Sequence, residues 1–140
     1  LELQEELHKT IVFITHDLDE ALRIGDDIAI LRDGRLVQQG LSQDIVLNPA
    51  DDYVADSIKD INRARVLTVG TLPLKKASAK GIALSNETSL EDAMKALVEA
   101  KKDSVIVLKD DKKLGSVSMY DIVHAATRSS ETAGEAVTYR

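Results

Sequence analysis

A chain of 140 residues with 44% apolar but only 3% aromatic side chains must build its core from Leu, Ile, Val and Ala, and has the length of one domain or one and a half. It holds no cysteine, which excludes a disulfide framework, a thiolate metal site and a cysteine nucleophile. The net charge of −6 is uneven, with 7 Lys/Arg against 14 Asp/Glu in residues 1–65 and 11 against 10 in residues 66–140; this argues against a nucleic-acid footprint and marks a candidate domain boundary near residue 65.

No run reaches the ~18 apolar residues of a membrane span, and Leu1-Glu2-Leu3-Gln4-Glu5-Glu6 lacks the basic-then-apolar plan of a signal peptide. Without an initiator Met, the chain reads as a piece of something longer. Leu1, Leu3 and Leu7 suggest the end of an amphipathic helix, with His8 and Lys9 where cations suit a C-terminus. Ile11-Val12-Phe13-Ile14-Thr15 has no polar alternation and predicts a strand buried on both faces. His16 follows at the strand's C-terminal end, the edge where open α/β sheets meet their ligands.

Leu18, Ala21 and Leu22 then predict a helix with Gly25 as its C-cap. Ile28 to Leu31, the turn pair Asp33-Gly34 and Arg35 to Gln39 predict a tight hairpin. Ser42 is expected to cap a short helix over residues 43–47, stopped by Asn48-Pro49. A further helix is expected from Asp51 to Ile61, with Tyr53, Val54, Ile58 and Ile61 on one side. Residues 62–81 carry no clear pattern: Val66-Leu67-Thr68-Val69 fits a short strand or the start of a helix, and Leu72-Pro73-Leu74-Lys75-Lys76 is ambiguous. After them come a strand at Ile82-Ala83-Leu84 and a helix that opens with a capping box at Thr88 and Ser89. That helix continues through Leu90, Ala93, Met94, Leu97 and Val98. Ser104 to Leu108 and Leu114 to Ser118 predict two strands around a charged turn, and Met119 to Ala126 a last helix. Residues 128–140 are small, polar and aperiodic, and are expected to be disordered.

Two places carry chemistry. A lone histidine is most often structural, but His16 stands in a polar loop between Thr15 and Asp17. Neutral imidazole donates one hydrogen bond and accepts another, so it can touch a phosphate oxygen and orient a water together. The second place is Gly115-Ser116-Val117-Ser118-Met119-Tyr120-Asp121, joining the last strand to the last helix. A hydroxyl at a helix start can join the amides in binding phosphate, and a carboxylate three residues later can accept both hydroxyls of a ribose. Equally, Ser118 can be an N-cap and Asp121 simply the third helical residue.

The run Ile14-Thr15-His16-Asp17-Leu18-Asp19-Glu20-Ala21, followed by Asp26-Asp27-Ile28-Ala29-Ile30-Leu31-Arg32-Asp33-Gly34-Arg35-Leu36-Val37-Gln38-Gln39-Gly40, resembles the histidine-switch region of ABC-transporter ATPases. With Asn48-Pro49-Ala50-Asp51-Asp52-Tyr53-Val54 further on, it is most similar to the ATP-binding subunits of glycine betaine/proline (osmoprotectant) importers. By that resemblance His16 contacts the γ-phosphate of ATP and helps hold the attacking water. The family pattern has Thr-Pro after the glycine matching Gly40, where this chain has Leu41-Ser42. Neither a Gly-x-x-x-x-Gly-Lys-[Ser/Thr] loop, nor Walker B carboxylates, nor a Leu-Ser-Gly-Gly-Gln signature is present. The 140 residues alone are therefore expected not to hydrolyse ATP.

The order strand-helix-strand-strand-helix from Ile82 to Ala126, with Ser118 and Asp121 at the matching motif positions, resembles a CBS domain. Members of that family often bind adenosine ligands there, and Ser116 departs from their apolar preference. Such repeats follow the ATPase domain in osmoprotectant subunits, so the two resemblances agree. Together they imply the C-terminal piece of an ABC-type P-loop ATPase domain (1–62), an α+β CBS domain (63–127) and a tail (128–140). They also imply ATP and Mg²⁺ in the intact subunit and an adenine nucleotide or cyclic dinucleotide at the CBS module. The implied partners are a permease, a second ATPase subunit and a paired CBS module, at the inner face of the cell membrane, with no nucleic acid. Seven lysines, Lys75, Lys76, Lys80, Lys101, Lys102, Lys112 and Lys113, read as a solvated surface or as contacts to anionic lipid. Two other readings stay open: an ABC ATPase for another solute, and a stand-alone nucleotide-sensing CBS protein.

Overall fold

The computed structural model describes residues 9–76 and 80–127. The expected helix before Lys9 and the expected disordered tail lie outside the described residues. Within them the chain is mixed α/β with two small sheets.

Residues 11–15 form no strand, and this is the largest correction to the sequence reading. Ile11, Val12, Phe13 and Ile14 are 43%, 84%, 56% and 90% exposed. Their composition favours a strand, but among the described residues no other strand runs alongside to take up their backbone groups. The chain's only phenylalanine is therefore at the surface, and the core is built from aliphatic side chains.

Helix α1 (Leu18–Ile24) starts where Asp17 Oδ1 accepts from the Glu20 amide at 3.2 Å. It ends at Gly25, whose backbone is extended rather than left-handed; a β-carbon there would meet the tip of the Ile28 side chain, which would have to shift. Strands β1 (Asp27–Arg32) and β2 (Arg35–Leu41) form the expected hairpin. Asp33 and Gly34 both take positive φ, 51° and 74°, the geometry that matches the twist of paired strands. Helix α2 (Ser42–Leu47) begins one residue earlier than expected: Leu41 is its cap residue, and Ser42 Oγ donates instead to the Gly25 carbonyl at 3.5 Å. Helix α3 (Asp52–Ile58) is capped by Asp51 and ends before Ile61. Val54 and Ile58 are buried, while Tyr53 faces outward beneath the Arg32 guanidinium, 4.4 Å from its ring centre.

The ambiguous stretch resolves into a four-residue helix, α4 (Arg63–Val66), and a 3₁₀ turn over Val69–Thr71. Asn62 caps α4 through the Ala64 amide at 3.1 Å. A helix this short shows no periodicity; it is held by burial of Ala64, Val66, Leu67 and Val69. It packs against α1 and α2 on one side. Its other neighbours are α5 (Leu90–Ala100) and α6 (Met119–Thr127). One continuous aliphatic cluster accordingly runs from Leu22 and Ile28 through Leu67 to Leu97 and Ile122.

Strands β3 (Ile82–Ser85), β4 (Ser104–Lys109) and β5 (Lys112–Ser118) make the second sheet in the order β3-β4-β5. β3 and β4 are parallel, joined through α5, and β4 and β5 form an antiparallel hairpin. This is the β-α-β-β-α order read from the sequence. Ser89 Oγ caps α5 by accepting from the Asp92 amide at 3.1 Å. The helix stops at Lys101, which takes the left-handed conformation, φ 53° and ψ 47°. A β-carbon is strained there and glycine is not. Lys101→Gly is expected to raise stability by about 0.5–1 kcal/mol, read as a higher denaturant midpoint at unchanged m-value.

Candidate functional site

His16 lies on the bend that leads into α1, and its side chain is exposed. Thr15 Oγ1 accepts from the Asp17 amide at 3.0 Å and donates to Glu20 Oε2 at 2.9 Å. These two bonds and the Asp17 cap fix the backbone on both sides of the histidine while leaving the imidazole open to solvent. The expected placement at a helix-entering loop holds; the expected buried strand behind it does not. The neighbouring side chains Asp17, Asp19 and Glu20 are all acidic. They have the wrong charge to cradle phosphates, so these residues offer ATP a single imidazole and no phosphate-binding loop.

Ser118 and Asp121 stand together at the start of α6. The Asp121 amide donates to Ser118 Oγ at 3.1 Å, so the hydroxyl does serve as the helix cap. Asp121, one turn in, has its carboxylate Oδ2 3.9 Å from Lys75 Nζ. Lys75 is brought there by the backbone. Its amide and carbonyl pair with the carbonyl and amide of Ser116, both at 2.9 Å, extending the sheet beyond β5. Gly115 makes this approach close: a β-carbon on it would sit 2.6 Å from the Lys75 carbonyl oxygen. Ser116 is buried and its hydroxyl donates to the Lys76 carbonyl at 3.1 Å, which accounts for a polar residue at a position where the CBS pattern prefers an apolar one.

In the sequence Lys75 stands only as one of several surface lysines. Nothing local in the sequence connects it with Asp121; only the bridge to Ser116 does. The same is true of Arg65, which reaches from α4 to Glu91 at 3.4 Å, where Lys95 also pairs at 3.8 Å. Both pairs are substantially exposed and contribute at most about 1 kcal/mol each. Among the described residues no hydrogen bond or ion pair links His16 to Ser118 or Asp121. Ser118→Ala removes the cap and is expected to cost about 1 kcal/mol, a fall of roughly 3 °C in Tm by thermal unfolding.

An open cleft of about 570 Å³ lies between the two regions, lined in part by Arg23, Asp26, Ser42, Arg65 and Glu87. It contains none of the three residues above. Among the described residues no group of His, Asp and Glu is arranged to hold a metal ion, and no helix is long and apolar enough to cross a membrane.

No protein-family model matches the chain. Curated proteins do. The glycine betaine/carnitine transport ATP-binding protein of Listeria monocytogenes is 42% identical over 126 residues, 90% of this chain and 30% of its own. The glycine betaine transport ATP-binding protein of Bacillus subtilis is 35% identical over 133 residues, 89% of this chain and 32% of its own. The trimethylamine N-oxide transport system ATP-binding protein of Pelagibacter ubique is 37% identical over 127 residues, 89% of this chain and 37% of its own. Among solved structures, a CBS domain covers 91% of this chain and 95% of its own at 20% identity and a TM-score of 0.32, below the range in which a fold is shared. The chain spans about a third of the length of the curated relatives it matches. Over nearly its whole length it is similar to the ATP-binding proteins of glycine betaine and related transport systems.

Proposed function

We propose that the chain is the C-terminal part of the ATP-hydrolysing subunit of an osmoprotectant importer, carrying the switch-histidine segment and a regulatory CBS module. The observation that supports this most is that a single relative matches 90% of the chain at 42% identity, so both regions match in one protein. Residues 1–62 belong to the ATPase domain and residues 63–127 to the CBS module. His16 is the residue that meets the γ-phosphate and the attacking water. Bound ATP with Mg²⁺ supplies the phosphoryl group and its charge neutralisation; the imidazole's part is to accept or donate one hydrogen bond at each of two oxygens. The phosphate cradle and the Mg²⁺ ligands come from sequence outside these 140 residues. The partners are a membrane permease and a second ATPase subunit at the cytoplasmic face.

The test is a chimera. The matching segment of the Listeria monocytogenes protein is replaced by this chain, and ATP hydrolysis is measured in the assembled complex. Turnover within about tenfold of the parent is expected, with none from the 140-residue chain alone. A complex that assembles but does not hydrolyse ATP would count against the reading.

Ser118 and Asp121 are proposed to hold an adenine nucleotide, with Asp121 on the ribose hydroxyls. Its carboxylate is held by one long ion pair, so a ligand displaces little. Calorimetric titration of the chain with AMP, ATP and a cyclic dinucleotide is expected to give heat with one of them, lost in Asp121→Ala. No heat with any would leave Ser118 a helix cap only.

A further inference from the structure

The connection between the two regions is not a tether. Flexible linkers are rich in Gly and Ser, whereas Lys59-Asp60-Ile61-Asn62 holds neither. The Ile61 amide donates to the Ile58 carbonyl at 3.1 Å, and Asn62 Oδ1 accepts from the Ala64 amide at 3.1 Å. The chain thus passes from α3 into α4 with its backbone fixed at both ends. Beyond α4, the Leu90 amide donates to the Leu67 carbonyl at 3.0 Å, and the Val69 amide donates to the Thr88 carbonyl at 2.9 Å. These bonds tie the exit of α4 to the start of α5, where Arg65 also meets Glu91.

Packing adds a stronger link. Ala64, Val66, Leu67 and Val69 are at most 9% exposed. They belong to the same cluster as Leu22 and Ile45 before them and Leu97, Val107 and Ile122 after them. Because α4 packs against α1 and α2 as well as against α5 and α6, neither set can shift without moving it or opening a gap in a close-packed interior. Regions joined through a small polar interface move independently, whereas a shared apolar core holds them together.

We propose that α4 couples the two regions into one cooperative body, so that a displacement of α6 reaches α1, the helix that His16 leads into. What the two ends do rests on the proposed function: the CBS module then acts, through α4, on the switch histidine of its own chain. The coupling itself needs only side chains buried within the described residues.

The experiment is urea unfolding of the 140-residue chain followed residue by residue by NMR. Methyl groups of Val54 and Ile58 report on one region, and those of Leu97 and Val105 on the other. One transition is expected, with the same midpoint and m-value for all four. Val107→Ala on β4 is expected to lower that midpoint by about 1 M for both pairs alike, and Ile45→Val on α2 by about 0.5 M, again for both. Ile122→Val trims one methyl group from α6 and is expected to move the amide signals of Ala21 and Gly25, whose hydrogen bonds open and close α1. Substitutions whose effect stops at residue 62 in either direction overturn the proposal, as do α1 signals that ignore Ile122→Val. The measurement uses neither ATP nor a second subunit, so its failure is distinct from failure of the chimera.

Discussion

Leu97→Ala is expected to lower the unfolding free energy by about 3 kcal/mol, a drop of roughly 10 °C in Tm, whereas Val98→Ala one residue further along α5 is expected to change it by less than about 0.5 kcal/mol. Leu97 is 0% exposed and Val98 is 67% exposed, although both fit the apolar stripe in the sequence. The difference arises because Leu97 belongs to the cluster shared with Leu67, Val105 and Ile122, where a deleted side chain leaves a cavity. Val98 leaves only water-exposed surface. Urea titration of the two variants separates them cleanly. Equal effects would mean that α5 is rotated relative to the sheet it covers.

His16→Ala is expected to do the reverse: little to stability and a great deal to turnover. The imidazole is exposed and no hydrogen bond to it is formed among the described residues, while Thr15, Asp17 and Glu20 hold the loop without it. In the chimera with the Listeria monocytogenes protein, ATP hydrolysis is expected to fall about 10²-fold or more, the usual effect of losing a group that orients the reacting water. Tm is expected to stay within about 1 °C of the parent chimera, since the substitution lies on the surface. A variant that hydrolyses ATP normally would remove His16 from the proposed site.

The parts of the fold that were legible in the sequence are those set by neighbours along the chain. Asp33-Gly34 specifies its turn because two successive residues must take positive φ, and few residue types do so readily. Ser89 and the stripe from Leu90 to Leu97 specify α5 in the same local way. Residues 11–15 were misread because burial of a strand is decided by what lies beside it, not by its own composition. Arg63 to Val66 were unreadable for a related reason: four residues give no period, and their helix exists because Ala64 and Val66 are packed between distant elements. At the candidate sites, the pairing of Ser118 with Asp121 was visible as a three-residue spacing. Lys75 was not, because 46 positions separate it from Asp121 and only the backbone bridge to Ser116 joins them.

What distinguishes an osmoprotectant importer from an ATPase serving another solute is coupling. Uptake of radiolabelled glycine betaine tests it in Listeria monocytogenes cells whose own glycine betaine/carnitine ATP-binding protein is replaced by the chimera. Uptake well above that of cells lacking the subunit is expected, rising with external osmolarity and abolished by His16→Ala. A chimera that hydrolyses ATP in the assembled complex yet imports no glycine betaine would contradict the assignment.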